Sequence, residues 1–386
     1  MKKKRLAIIS SHPIQYNAPM FATLARSTKL YPKVFYTWSQ SQEKLFDKDF
    51  GKEIKWDIPL LEGYEYQFIN NISKTPGPIG YKGIDCPDLI PAIKNWGAEA
   101  VLIYGWNYKA HYGAMRYFKG KIPVYFRGDS TLIDEISGLK QMLRRIVLTH
   151  VYKKCDGAFY VGQNNKAYFL KHGFSPDKLY FAPHAIDNER FSSNATSFKQ
   201  QAGEWREKLG IEKEDKVVLF VGKFESKKNP LLLLEAFRHL NQTGSHLIFV
   251  GNGFYEEEMK QMTEGQINIH FLPFQNQQMM PVVYHLADVL ALPSQGPGET
   301  WGLVVNEAMA CEKAILLSDK AGCAPDLVHN NENGRIFTSG DMQDCSAALK
   351  QLLKSKEGLE KMGSESFRII QDWSFENIVK SLENHI

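Results

Sequence analysis

Glu299 and Glu307 are the two residues of this 386-residue chain whose setting most suggests chemistry. They stand in Leu292-Pro-Ser-Gln-Gly-Pro-Gly-Glu-Thr-Trp-Gly-Leu-Val-Val-Asn-Glu-Ala-Met-Ala310. An apolar run ends at Leu292, a Gly/Pro-rich loop follows, and helical spacing begins close to Gly302. At such a helix start the amides of Gly302, Leu303 and Val304 lack intrahelical partners and favour an anion. Glu299 precedes that start and Glu307 lies more than a turn inside it. The two are therefore not a close acid/base dyad; they suit two grips on one extended ligand. Val305, Ala308 and Met309 around Glu307 are apolar, so a carboxylate there needs a partner, and a pair of sugar hydroxyls would serve.

A second cluster lies in Val221-Gly-Lys-Phe-Glu-Ser-Lys-Lys-Asn-Pro230. A strand ends at Val221, Gly222 lets the backbone turn, and Lys223, Lys227 and Lys228 follow before a helix begins near Pro230. Ammonium groups after a strand suit a diphosphate, although a solvated basic loop taken alone reads the same way. The run is neither a Walker A loop nor a Gly-x-Gly-x-x-Gly fingerprint, which removes support for an ATPase or an NAD-dependent dehydrogenase.

Short apolar runs alternating with helix-like segments must position these residues. Leu6–Ser10, Lys33–Thr37, Ala100–Tyr104, Pro123–Phe126 and Ala158–Val161 read as buried strands in the first half. Val217–Val221, His246–Val250, Ile269–Phe271, Val289–Leu292 and Ala314–Leu317 repeat the pattern. Leu231–Leu240 and Val304–Ala310 have helical spacing. The expectation is an α/β protein of two Rossmann-like, doubly wound parallel sheets facing a central cleft, since this length exceeds one hydrophobic core. Ser192–Gln201, polar and with little periodicity, reads as the linker. Ligands of such sheets sit beyond the carboxyl ends of the strands.

The net charge of +4 is unevenly spread. Residues 1–190 carry 28 Lys and Arg against 17 Asp and Glu, and the remainder 19 against 26. A basic first half fits an anionic partner such as a phospholipid surface or a phosphate-bearing acceptor, and nothing points to nucleic acid. Leu139–Lys154 places Leu139, Met142, Leu143, Ile146, Val147 and Val151 on one face, with Lys140, Arg144, Arg145, Lys153 and Lys154 largely elsewhere. A membrane-surface helix would look like this, but a helix packed on a sheet is the preferred reading. No apolar run is long enough to span a bilayer or to act as a signal peptide, which leads to an expected cytoplasmic location, with peripheral contact at the inner face of the plasma membrane as a further option. Five scattered cysteines form no Cys-x-x-Cys pair and argue against a disulfide framework or zinc. Asp47-Lys-Asp49 has the form of a metal-binding Asp-x-Asp, yet its polar surroundings read as a solvated loop. No metal or cofactor is expected.

The paired acids within "PS…ETWGLVVNEAMAC", followed by "LLSDKAGCAPDLVHNNENG", resemble the signature of the family 4 retaining glycosyltransferases with the GT-B fold (glycosyl transferases group 1). "VGKFESKKNP" resembles that family's diphosphate loop, with Lys223 and Lys228 on its basic positions, and "PHAIDNERF" at Pro183–Phe191 resembles its hinge sequence. "SHPIQYNAP", "EIKWDIPLLEGYEY" and "YFRGDS" resemble a subset of the family, so the likeness covers nearly the whole chain. It implies an acceptor-binding domain over 1–188, rejoined by a C-terminal helix over 371–386, and a nucleotide-sugar-binding domain over 189–370. Closure about the linker would keep water from the donor. It further implies transfer of a sugar, with retention and without a metal, from a nucleotide-diphosphate sugar serving as co-substrate. The acceptor would be a saccharide or lipid-linked intermediate of cell-surface polysaccharide synthesis. Lys223 and Lys228 would hold the diphosphate together with Gly222 and the amides of Gly302, Leu303 and Val304. Glu307 would bond the ribose, Glu299 the transferred sugar, and the backbone at Pro273-Phe274 the base.

This sequence departs from the family pattern in its first half. Ser10-Ser-His-Pro-Ile-Gln15 stands where a glycine pair is common, and Arg127-Gly-Asp129 where a histidine is common. Asp129 is the candidate for a catalytic contact there. His12, Tyr16, Trp106 and Arg127 are acceptor-side candidates, although core packing explains Trp106, like Trp38 and Trp56, equally well. Two rival readings are a nucleotide-sugar epimerase on the same fold and a non-catalytic two-domain nucleotide-sugar-binding protein. The first would need acid and base residues around the sugar; the second has no need of Lys228 and Glu307 together. A glycogen-phosphorylase-like enzyme lacks a recognisable pyridoxal-binding lysine pattern.

Overall fold

The computed structural model describes residues 2–42, 46–47, 52–53 and 56–386. Its backbone forms two parallel sheets. The first comprises β1 (Lys4–Ser10), β2 (Leu30–Tyr36), β5 (Glu65–Phe68), β6 (Ala100–Tyr104), β7 (Val124–Arg127), β8 (Gly157–Tyr160) and β9 (Leu179–Phe181), in the order β5-β2-β1-β6-β7-β8-β9. A two-residue pair, β3 (Phe46–Asp47) and β4 (Lys52–Glu53), stands apart. The second sheet comprises β10 (Lys216–Val221), β11 (Ser245–Val250), β12 (Ile269–Leu272), β13 (Val289–Leu292), β14 (Ala314–Ser318) and β15 (Gly334–Phe337), ordered β12-β11-β10-β13-β14-β15.

Central strands of such sheets are covered on both faces and must be continuously apolar. Leu6, Ala7, Ile8 and Ile9 of β1 and Val217 to Phe220 of β10 are accordingly all buried. In register, Ile8 stands opposite Val34 and Leu102, and Leu219 opposite Ile248 and Leu290. One core joins Ile9, Val101 and Ile103 to Leu89, Ile93 and Met115 from covering helices. The other joins Val218, Phe220 and Phe249 to Leu233, Phe237 and Leu349. Three of the four edge strands, β5, β9 and β15, are short and partly polar, which is why their sequences carry no clear strand signal.

The chain clusters into two compact units. One holds Met1–Phe46, Glu53–His184 and Phe375–Ile386, and the other holds Asp47–Lys52 and Ala185–Ser374. In the first, the helix Phe375–His385 is tied down by Ser27 Oγ donating to Glu383 at 2.5 Å. Tyr125 also donates to the carbonyl of His385 at 2.6 Å, and that imidazole stacks on Tyr180.

Two sequence readings need correction. Ser192–Gln201 is not a linker: helices cover Asn188–Ser192 and Ala195–Lys208. The second is a surface helix rich in Ala, Gln, Glu and Lys, good helix formers that need no apolar stripe. Among its hydrophobic residues, Phe198 stacks on His285, while Arg206 donates to the carbonyl of Asp215 at 2.7 Å. The apolar face of Leu139–Tyr152 is also not buried against a sheet. Leu148, Val151 and Tyr152 face the interior, whereas Leu139, Met142, Leu143, Ile146 and Val147 are exposed. No helix among the described residues is long and apolar enough to cross a membrane.

Candidate functional site

In each sheet the strand order reverses direction at one point, between β1 and β6 in the first and between β10 and β13 in the second. Chains leaving adjacent strands there diverge and leave a crevice at the carboxyl ends. The lysine loop leaves β10 and the glutamate loop leaves β13, so the second sheet's reversal point brings together the two motifs singled out in the sequence.

The two loops are stapled to each other. Gln295 donates its backbone N–H to the carbonyl of Lys227 at 3.0 Å and its side chain to the carbonyl of Ser226 at 2.7 Å. Asn229 Nδ2 donates to Gln295 Oε1 at 3.1 Å. Across this staple Lys228 Nζ reaches Glu299 Oε2 at 2.5 Å, and Ser294 Oγ donates to the same oxygen at 2.9 Å. Glu299 is only 7% exposed, so its charge depends on these two partners. Lys223 is half-buried at the root of the same loop.

The lysine loop also rests on Gly251-Asn-Gly253 after β11, a segment outside the two motifs. Phe224 donates its N–H to the carbonyl of Asn252 at 2.9 Å. A Cβ on Gly251 would lie 2.1 Å from the carbonyl oxygen of Gly222, so only glycine allows this approach. The available signal was a glycine pair directly after a buried strand.

The helix Leu303–Ala310 begins at Gly302, whose φ of 100° is left-handed and which supplies no side-chain cap. A Cβ there would come within 2.8 Å of Leu292 Cδ2 and 3.9 Å of Glu299 Oε1, which places the Glu299 carboxylate beside the helix start. From behind, Gly322 donates to the carbonyl of Glu299 at 3.0 Å and Cys323 to that of Trp301 at 3.1 Å. Trp301 Nε1 donates to Asn306 Oδ1 at 2.8 Å, and its ring packs on Trp373 at 5.1 Å.

Glu307 is 2% exposed. The partner that a buried acid requires comes from within the chain: the Tyr284 hydroxyl donates to Glu307 Oε2 at 2.5 Å. Tyr284 lies in the helix Met280–His285 and meets the edge of Phe191 at 5.9 Å. Neither Tyr284 nor its pairing was visible in the motif. Glu299 and Glu307 thus have separate partners. Phe274 lies half-buried in the loop after β12, which Arg190 fixes by donating to the carbonyl of Gln277 at 2.6 Å and to its Oε1 at 2.8 Å.

The first unit has its own group at its reversal point. His12 follows β1; its Nδ1 lies 2.9 Å from Ser11 Oγ, its ring meets the edge of Trp38 at 5.1 Å, and burial lowers its pKa. Tyr16 sits at the start of the helix Asn17–Ala25, and Trp106, after β6, packs against the core. His111, which stands in no motif, braces this end. Its Nδ1 lies 2.8 Å from the carbonyl of Gly105 and its Nε2 2.8 Å from Thr37 Oγ1. Burial brings it down to about 4, so it is a neutral ring donating through Nδ1 and accepting from Thr37. Arg127 ends β7 with its guanidinium turned to the backbone, donating to the carbonyls of Ala182 at 2.8 Å and Pro183 at 2.9 Å. That engagement positions the segment at Pro183 instead of offering Arg127 to a ligand. Asp129 is about half exposed, with His184 Nε2 4.0 Å from its Oδ2.

Among the described residues no three His, Cys, Asp or Glu side chains are grouped so as to hold a metal. Lys48 and Asp49 of the Asp47-Lys-Asp49 stretch lie outside the described residues. All five cysteines are buried and free.

Residues 201–368 match the family model described as glycosyl transferases group 1. The sulfoquinovosyl transferase SQD2 of Arabidopsis thaliana is 29% identical over 181 residues, 46% of this chain and 34% of that protein. The D-inositol 3-phosphate glycosyltransferase of Mycobacterium ulcerans is 29% identical over 197 residues, 49% of this chain and 40% of that protein. The matches therefore span well under half of those relatives' length. Among solved structures, Anabaena Alr3699/HepE in complex with UDP superposes with a TM-score of 0.73 at 15% identity, covering 99% of this chain and 98% of that one. WaaG, a glycosyltransferase involved in lipopolysaccharide biosynthesis, superposes with a TM-score of 0.65 at 14% identity, covering 98% of each.

Proposed function

The chain belongs to the glycosyl transferases group 1 family and has its GT-B fold, and on that footing we propose that it is a retaining glycosyltransferase. It moves a hexosyl unit from a nucleotide-diphosphate sugar to a hydroxyl of a saccharide or lipid-linked acceptor, without a metal, in the assembly of a cell-surface polysaccharide. The proposed location is the cytoplasm, at the inner face of the membrane. The observation that carries this reading is the meeting of Lys228 and Glu299 beside the uncapped helix start at Gly302.

In the structure Lys228 neutralises Glu299. An arriving diphosphate, carrying more charge than a carboxylate, competes for that ammonium group. Lys228 then turns to the phosphate, joined by Lys223 and the amides of Gly302, Leu303 and Val304, and Glu299 is released to accept from sugar hydroxyls. As the bond from the anomeric carbon to the phosphate oxygen breaks, its electron pair leaves with the diphosphate, and these donors meet the growing charge. The acceptor oxygen attacks the same face of the oxocarbenium-like centre and gives its proton to the departing phosphate oxygen. Glu307, held by Tyr284, takes the ribose, and the backbone near Phe274 takes the base. Asp129 is the candidate for a catalytic contact from the first unit, and His12, Tyr16 and Trp106 are the acceptor-side candidates.

Solved relatives of the fold hold UDP and UDP-glucose, so UDP-glucose is the first donor to test. A thermal-shift panel of UDP-, GDP- and ADP-sugars, with and without chelator, on the wild type, Lys228→Ala and Glu307→Ala gives the test. We expect one nucleotide to raise Tm irrespective of chelator and both variants to lose that rise. The reading fails if no nucleotide stabilises the wild type, or if both variants respond as it does.

A further inference from the structure

We propose that the helix Leu139–Tyr152 docks the first unit on an anionic phospholipid bilayer. The inference is independent of the donor site. Leu139, Met142, Leu143, Ile146 and Val147 are between 52% and 77% exposed, and Ile136 just before the helix is 85% exposed. At ~100° per residue these five helical side chains occupy an arc of about 140°. Leu148, Val151 and Tyr152, the buried residues, lie on the opposite side. The helix therefore has two apolar faces, and only one of them is used by the fold. Isolated exposed apolar residues are ordinary, whereas a contiguous stripe of five is not.

Charge identifies the occupant. Lys140 and Arg145 flank the stripe on its two sides, both exposed, and His150 lies within it near the carboxyl end. No acidic residue stands anywhere between Leu139 and Lys154. Arg144 is turned the other way, its Nη2 3.4 Å from the Tyr168 hydroxyl. An apolar stripe rimmed by cations and free of acids fits the boundary between acyl chains and anionic headgroups. A protein groove would meet the apolar stripe equally well but gives no reason for the basic rim and the missing acids. The helix also has little of its own to favour its first turn, with no side-chain cap at Gly138 and Lys140 beside its positive end. Headgroup phosphates at that end would supply what the sequence omits.

The test is co-sedimentation of the full chain with vesicles of phosphatidylcholine alone or with phosphatidylglycerol at about one lipid in three, at low and at physiological salt. We expect binding to the mixed vesicles, weakened by salt, and at least tenfold weaker binding to phosphatidylcholine alone. Leu143→Glu with Ile146→Glu should abolish binding, and Lys140→Glu with Arg145→Glu should reduce it at least tenfold. Every substituted side chain is exposed, so Tm and nucleotide response should stay at wild-type values. The proposal is overturned if the wild type does not bind the mixed vesicles, or if the Leu143/Ile146 variant binds as tightly as the wild type. A concentration-dependent dimer that this variant breaks up, without vesicle binding by the wild type, would assign the stripe to a second copy instead.

Discussion

Lys228 and Glu299 meet at 2.5 Å across two loops that leave neighbouring strands, with Ser294 Oγ on the same carboxylate oxygen. Seventy-one residues separate them in the chain, and the strand reversal between β10 and β13 makes them neighbours. The pair is mostly buried, so it is a poor candidate for a purely stabilising contact, because desolvation offsets much of the attraction. Its position beside a helix start argues for a charge held ready for exchange.

Removing Lys228 should therefore have two separable effects. Lys228→Ala leaves a buried carboxylate with one donor, which costs about 3 kcal/mol or more; if Lys228 holds the donor diphosphate as proposed, turnover should also fall by ~10²–10³-fold. Adding Glu299→Gln removes the stranded charge. The double variant should regain most of the lost Tm while its donor turnover, measured as UDP release, stays low. Recovery of turnover along with Tm would mean that neither Lys228 nor Glu299 serves the reaction.

Tyr284→Phe tests Glu307 in the same spirit. The substitution keeps the ring packed against Phe191 and deletes only the hydroxyl that donates to Glu307 Oε2. Leaving a buried acceptor short of its donor costs ~1–3 kcal/mol, which thermal unfolding should report as a lower Tm. If Tyr284 holds the carboxylate for ribose, the affinity for a full nucleotide should fall several-fold. Affinity for inorganic pyrophosphate, which has no ribose, should not change. Equal losses for both ligands would assign Tyr284 to the fold.

Central strands and the two loop motifs were legible because burial on both faces and chemistry at strand ends each leave a mark in the residue types. Val289–Leu292 is apolar throughout because both its faces are covered. The edge strands β5, β9 and β15 are partly solvated and left no such mark. Ser192–Gln201 read as a linker because the surface helix Ala195–Lys208 is built from propensity with a single buried residue, Ala202. Tyr284 and His111 escaped notice for another reason. Each acts through a contact distant in sequence, and a tyrosine or histidine on an apolar helix face reads as core. The exposed stripe at Leu139–Val147 shows the converse: periodicity located an apolar face and could not say whether protein covers it.

Gly322→Ala examines how the glutamate loop is held. A Cβ on Gly322 would lie 1.7 Å from the carbonyl oxygen of Thr300, so the loop 299–301 or the segment behind it must move. Both the Gly322 N–H bond to Glu299 and the Cys323 N–H bond to Trp301 would be disturbed. The expected cost is ~2 kcal/mol or more, since the clash is with backbone and not with the end of a flexible side chain. Donor binding should fall with it. Gly203→Ala, where a Cβ meets open space, is the control and should leave Tm unchanged or raised slightly.

His285 carries a prediction about acid. It is buried at the end of the helix that carries Tyr284, both ring nitrogens lack a hydrogen-bond partner, and its ring stacks on Phe198. Burial, with Lys313 and Lys199 nearby, pushes its pKa down to about 3. The folded protein thus binds this proton less readily than the unfolded chain, where histidine titrates near its ordinary 6.5. Its contribution to stability is complete above pH 6.5 and is lost as pH falls towards 3. His285→Phe keeps the stacked ring and removes both the titration and the unsatisfied nitrogens. The variant should match or exceed the wild-type Tm at pH 7.5, by ~1 kcal/mol at most, and its advantage should widen steadily down to pH 4.5. His111, His184 and His270, each lowered by burial to about 4, remain in the variant, so its own Tm should still decline with acid. Melting curves at four or five pH values decide the matter: parallel Tm profiles for the two proteins would show that His285 does not charge on unfolding in this range.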